Sequence, residues 1–110
     1  MRHLKHRAQF VQAARGAKSN GRFFVLQAAA SAFSEPGVGY TVTKRTGNSP
    51  ERNRIKRRLR AAVRQKAELF ATNTDYVLIG RQAALYAQFN DLLDALDHQM
   101  TRLRPASPSR

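Results

Sequence analysis

The sequence predicts an α/β (α+β) two-layer sandwich, and three stretches carry that expectation. Val38, Tyr40 and Val42 alternate with Gly39, Thr41 and Thr43, the period of a half-buried strand. Tyr76-Val77-Leu78-Ile79 is a continuous apolar run, as in a strand covered on both faces. Between them Ile55, Leu59, Ala62, Val63 and Phe70 recur at steps of three and four, so one side of a helix is apolar. Helices and strands interleave within 110 residues, the length of one domain with a core of modest size.

The expected order is α-β-β-α-β-α. Residues 4–14 read as a short first helix, with Leu4, Ala8, Val11 and Ala14 near helical spacing and Gly16 as the stop. A basic loop from Arg15 to Arg22 follows. Phe23 to Ala30 then opens with apolar, β-favouring residues and reads as the first strand. Ser34-Glu35-Pro36-Gly37 marks a turn into the alternating strand. Asn48 or Ser49 suits the N-cap of the second helix, and Pro50 its first position after Ser49. That helix is expected to reach Phe70, with Thr72-Asn73-Thr74-Asp75 as the break before the third strand. Phe89, Leu92, Leu93, Leu96, Met100 and Leu103 make one stripe of a last helix. Residues 1–104 are expected to form a single domain, and 105–110 a flexible tail. No internal repeat is visible.

Twenty Lys and Arg against seven Asp and Glu leave a net charge of +13. Self-repulsion of that size destabilises a compact chain and is tolerated when a polyanion neutralises it. At 42% hydrophobic the composition is nonetheless that of a globular domain, not of a disordered basic tail. Without cysteine there is no disulfide, thiolate metal site or cysteine nucleophile, and a reducing compartment is compatible. No apolar run approaches the ~20 residues of a membrane span. Arg7 and Arg15 bracket too short an apolar stretch for a secretory signal, so a cytoplasmic protein with a basic N-terminus is expected. Composition alone leaves an organelle presequence open.

The charge is concentrated. Between Lys44 and Lys66 lie ten of the twenty Lys and Arg and one acid, Glu51. At 100° per residue, Asn53, Arg57, Arg60 and Arg64 fall opposite the apolar stripe, flanked by Arg54 and Lys56. A docked helix would hold these cations rigidly outward, which is how a folded protein meets a phosphate backbone. A merely solvated face would mix acids with the bases, and this one does not. An anionic membrane is the competing partner. The helix has no Trp, however, and its apolar side is needed by the core.

Enzymatic chemistry has little to start from. His3 and His6 have no acidic or thiolate partner nearby, which argues against a metal site. Asp91, Asp94 and Asp97 step by three along the last helix and read as its solvated side. No nucleophile, base and orienter stand together in a catalytic motif. Gly47-Asn48 is a weak signal for an anion nest at a helix start, and a loop hinge is the commoner role. Charge pattern alone is shared by ribosomal or assembly proteins and by DNA-binding regulators. The latter lack here an evident helix-turn-helix partner or dimer seam. A nuclease made of protein alone is the least favoured reading.

A longer motif narrows this. The segment Val38-Gly39-Tyr40-Thr41-Val42-Thr43-Lys44-Arg45-Thr46-Gly47-Asn48, followed by Arg52-Asn53-Arg54-Ile55-Lys56-Arg57-Arg58-Leu59-Arg60, resembles the bacterial ribonuclease P protein component. In that family a glycine-bearing strand ends in a small hydroxylated residue and two basic residues. A Gly-Asn pair and an Arg-Asn-Arg helix follow, at the spacing seen here. Leu4-Lys5, Phe10 and Gly16 upstream, Asp75 to Arg81 downstream and the leucine-striped last helix extend the resemblance to nearly all but the tail.

The resemblance implies a left-handed βαβ crossover around the Arg-Asn-Arg helix, where general rules expect a right-handed one. It also implies the protein subunit of an RNA-based endonuclease that removes the 5′ leader from precursor tRNA. The RNA subunit would perform the cleavage, with Mg2+ held chiefly by RNA and no cofactor on the protein. Carried over, Arg52, Asn53, Arg54, Lys56, Arg57 and Arg60 form the surface that meets the catalytic RNA, with Lys44 and Arg45 before it. Arg64 continues that face by spacing. Phe10 and Phe24 match aromatics near a central cleft for the single-stranded leader, where bases are free to stack. Core packing is an equal alternative for Phe24. Ala14 and Gln27 stand where other members often carry further rings. Neither a membrane nor an obligate protein partner is implied.

Overall fold

The computed structural model describes residues 1–103. Its elements are β1 (Arg2–His3), α1 (Arg7–Ala14), β2 (Ala17–Asn20), β3 (Phe24–Ala30), β4 (Gly37–Thr41), α2 (Ser49–Gln65), β5 (Thr74–Gly80), α3 (Ala83–Tyr86) and α4 (Phe89–Leu103). The five strands form one sheet in the order β1-β4-β5-β3-β2. β3 runs antiparallel to β5, with Val25 opposite Ile79 and Gln27 opposite Val77. β4 runs parallel to β5, with Gly39 opposite Val77, so α2 is the crossover of a βαβ unit.

The continuous apolar run is indeed the central strand. Tyr76 and Leu78 face the larger core with Phe24, Leu26, Ile55, Leu59, Leu92 and Leu96. Val77 and Ile79 face a smaller cluster of Leu4, Ala13 and Phe10. Alternation along β5 thus feeds two layers, with α2 and α4 on one face and α1 on the other. Gly80 sets how closely α2 approaches: a Cβ there would stand 2.7 Å from Ile55 Cγ2 and 3.0 Å from Val42 Cγ2.

The α+β class stands, but the sheet has five strands where the sequence pointed to three. β1 is only two residues long, below what any periodicity can reveal. β2 was expected as basic loop because it is an edge strand burying Ser19 alone. Charged residues on such an edge, Lys18 here, discourage pairing with another chain. The first helix starts at Arg7 rather than residue 4. Its packed side carries Phe10 and Ala13, not Ala8, Val11 and Ala14, which are exposed. Leu4 instead lies in extended chain, its amide on the Val38 carbonyl at 2.9 Å. Alanine-rich spacing fits either side of a helix and does not by itself fix the phase.

α2 begins at a capping box: Asn48 Oδ1 accepts from the Glu51 amide and Glu51 Oε1 from the Asn48 amide, both at 2.9 Å. It ends at Gln65, and Phe70 follows a 3-10 turn, Ala67–Leu69, instead of extending the helix. The Phe70 ring is still buried, edge-on to Tyr76 with centroids 4.8 Å apart. The turn into β5 uses Asn73 at φ 58°, a left-handed conformation that Asn tolerates. At the far side, buried Gln99 donates to the carbonyls of Ser19 and Phe24 at 3.0 and 3.1 Å, tying α4 to the β2–β3 hairpin. The expected tail, 105–110, lies outside the described residues.

Candidate nucleic-acid interface

α2 is held by its buried residues Ile55, Leu59, Ala62 and Val63. Asn53, Arg57, Arg60 and Arg64 consequently point to solvent, as the spacing predicts. Asn53, Lys56, Arg57 and Arg60, with Ser49 and Pro50, line a shallow hollow of about 600 Å³. Lys56 is half-buried there, so its stem packs while its ammonium reaches outward. Lys44 and Arg45 are exposed on a 3-10 turn just before the helix.

Arg52, the first cation of the Arg-Asn-Arg motif, is engaged within the chain. Its guanidinium donates to the Gly47 carbonyl at 3.0 Å and to Ser49 Oγ at 3.1 Å. It therefore braces the loop that carries Lys44 and Arg45 against the start of α2. Arg54 is exposed on one flank, where it shares a hollow with Pro50, Glu51, Leu85 and Tyr86. On the other flank Arg60 lies over the Tyr40 ring, 5.5 Å from its centroid. Burial pushes the Tyr40 hydroxyl up to about 12, against the pull of the Arg60 and Arg64 charges. The sequence marks Tyr40 only as a strand residue, and the packing of α2 on β4 is what sets it beside Arg60.

Among the described residues the ion pairs are Met1–Glu35, Arg2–Asp75 and Lys66–Asp97. None engages a cation between Lys44 and Arg64. The outward face of α2 therefore carries an uncompensated positive field, which raises the local concentration of anions. Asp97 meets Lys66 at 3.0 Å while Asp91 and Asp94 are exposed, in keeping with a solvated side of α4.

The two aromatics expected near a cleft separate onto opposite faces of the sheet. Phe24 is fully buried in the larger core under α2 and α4. It has no surface to offer a base, and its assignment to a cleft is corrected to core packing. Phe10 is half-buried on the α1 face, over Gly39. A Cβ on Gly39 would lie 2.6 Å from Phe10 Cζ, so glycine is what lets the ring settle on the strand. Val77 and Gln27 continue the row from Gly39 across the sheet, and Lys18 ends it on β2. Phe10 is thus a partly exposed ring at one end of this row, with Gln27 buried within it and Lys18 exposed at the other end.

Residues 1–104 match the profile of the family described as Ribonuclease P. The chain belongs to the ribonuclease P protein family. It is 39% identical over 108 residues to the ribonuclease P protein component of Brucella suis, covering 89% of this chain and 77% of that one. With the ribonuclease P protein component of Gluconacetobacter diazotrophicus it shares 44% identity over 96 residues, covering 84% and 83% of the two chains. The Staphylococcus aureus RNase P protein superposes with a TM-score of 0.77 at 26% identity, covering 93% of this chain and 94% of that one. The RNase P protein of Thermotoga maritima shares the fold, with a TM-score of 0.79 at 20% identity and coverage of 93% and 97%. This ribonuclease P family chain thus combines the family's fold with a basic α2 surface and, across the sheet, a separate surface around Phe10.

Proposed function

We propose that this chain is the RNA-binding protein subunit of ribonuclease P, supporting removal of the 5′ leader from precursor tRNA by a catalytic RNA. The observation that carries the reading is the row Asn53, Arg57, Arg60 and Arg64, exposed on one rigid helix with no acid to neutralise it. Such a row neutralises phosphates of the RNA subunit and releases their counterions. Lys44 and Arg45, held by the Arg52 brace, extend it at the start of α2. Across the sheet, Phe10 takes a base of the single-stranded leader, with Lys18 within the same surface to meet phosphate. The two RNAs then occupy opposite faces, and the protein bridges them.

Cleavage itself belongs to the RNA in this reading. Among the described residues no group of three or more His, Asp or Glu side chains converges, and Asp75 and Asp97 are taken up by Arg2 and Lys66. Magnesium is assigned chiefly to RNA phosphates by the family resemblance, and the protein assists by drawing those phosphates together. A cytoplasmic location goes with this role.

Phe10 provides the test. Phe10→Ala in the assembled ribonucleoprotein is expected to weaken binding of precursor tRNA by ~1–3 kcal/mol, the worth of one base–aromatic stack. Mature tRNA without a leader should bind as before, since it offers no base to that surface. Affinities for both tRNAs and the melting temperature decide together. A stable variant that keeps its full preference for leader-bearing tRNA would remove Phe10 from the site. Equal losses for both tRNAs with a lowered melting temperature would make it a packing residue only.

A further inference from the structure

Arg58 turns away from the row of exposed cations on α2. Its Nη1 donates to the Leu85 carbonyl at 3.2 Å and its Nη2 to the Ala87 carbonyl, while its buried Nε has no partner among the described residues. Leu85 is itself buried, 5% exposed, and anchors α3 in the larger core. The residue between the two held carbonyls is Tyr86. It is 76% exposed, the most of any large hydrophobic side chain among the described residues.

Some other rings near the surface have a guanidinium over one face. Arg2 lies over Phe33 at 4.6 Å from the centroid, and Arg60 over Tyr40. Tyr86 has no such cover among the described residues. Its backbone is nonetheless held on both sides by one guanidinium, so the ring is presented from a fixed base. Arg54 shares its hollow, and Arg54 with Arg57 lines the next one, against Phe89. A bare ring beside guanidinium groups suits a nucleotide whose base is unpaired: the base stacks on the ring and the phosphate meets the cation.

We propose that Tyr86 stacks on an unpaired base of the catalytic RNA, extending the α2 surface onto α3, with Arg58 as the positioning residue that holds it there. This rests on the α2 face binding that RNA. The catalytic RNA is chosen over the leader because α3 packs into the α2 side of the sheet, whereas Phe10 lies on the other side.

The test titrates the refolded catalytic RNA with wild-type protein, Tyr86→Ala, Tyr86→Phe, Arg58→Lys and the Arg58→Lys/Tyr86→Ala double variant. Tyr86→Ala is expected to bind roughly five- to hundredfold more weakly, the range for loss of one stacked base. Its salt slope and melting temperature should not change, because an uncharged, exposed ring is removed. Tyr86→Phe should keep wild-type affinity. Arg58→Lys retains charge but not the two-carbonyl grip, so it should weaken binding in the wild-type background and add little to Tyr86→Ala. Wild-type affinity in Tyr86→Ala, with wild type binding tightly, would overturn this inference and leave the α2 reading intact. So would a Tyr86→Ala loss confined to precursor tRNA. Failure of the wild-type protein to bind the RNA would sink the underlying reading as well.

Discussion

Phe24→Ala is expected to cost ~3–5 kcal/mol of stability, the usual loss for deleting a buried aromatic ring. Phe24 sits at 0% exposure among Leu26, Ile55, Leu59 and Leu78, so little can move in to fill the space. Against a total of ~5–15 kcal/mol, the variant should be partly unfolded at physiological temperature. The effect reaches RNA indirectly, because the same core seats α2 and thereby aims its cations. Phe24→Leu, which conserves most of the volume, should cost less than ~1.5 kcal/mol and bind RNA normally. Urea unfolding of the two variants measures this. A well-folded Phe24→Ala protein that selectively loses leader preference would return Phe24 to the cleft.

The second large effect falls on binding and spares the fold. Replacing Arg57 and Arg60 together by Ala should reduce the magnitude of the log–log salt dependence of RNA binding by roughly 1 to 2 units, if each makes one phosphate contact. Both side chains are exposed and lie opposite the buried stripe, so the helix should persist. A stability cost of about 0.5–1 kcal/mol is expected from the loss of Arg60 over Tyr40. Titrations at several salt concentrations supply the slope. Full affinity with an unchanged slope would mean that the α2 cations are only solvated.

The parts of this fold legible in the sequence are those with a strong period. Ile55, Leu59, Ala62 and Val63 mark the buried side of α2, and the outward set of Asn53, Arg57, Arg60 and Arg64 follows from it by geometry. Asn48 as one of two candidate caps and the central strand through Leu78 are equally local signals. What could not be read depends on partners far away in sequence. β2 is a strand because Ser19 pairs with Leu26, not because its own residues favour one. Arg52 and Arg58 look identical to Arg54 and Arg57 along the chain. Arg52 braces Gly47 close by in the chain, a contact its residue type does not announce, and only tertiary contacts show that Arg58 grips Leu85 and Ala87. Phe24 and Phe10 are both aromatics preceding apolar stretches, and the sheet's two faces separate them. Tyr86 carries no local mark at all, since exposure is a property of the folded surface.

Precursor-tRNA cleavage by purified protein, by its cognate catalytic RNA, and by the two together tests the central claim most directly. Protein freed of RNA should leave the substrate intact at every magnesium concentration. Cleavage at the mature 5′ end should require the RNA, and adding protein should raise it most where magnesium is scarce and phosphates most need neutralising. Nuclease activity that survives rigorous RNA removal and follows the protein through successive columns would contradict the account.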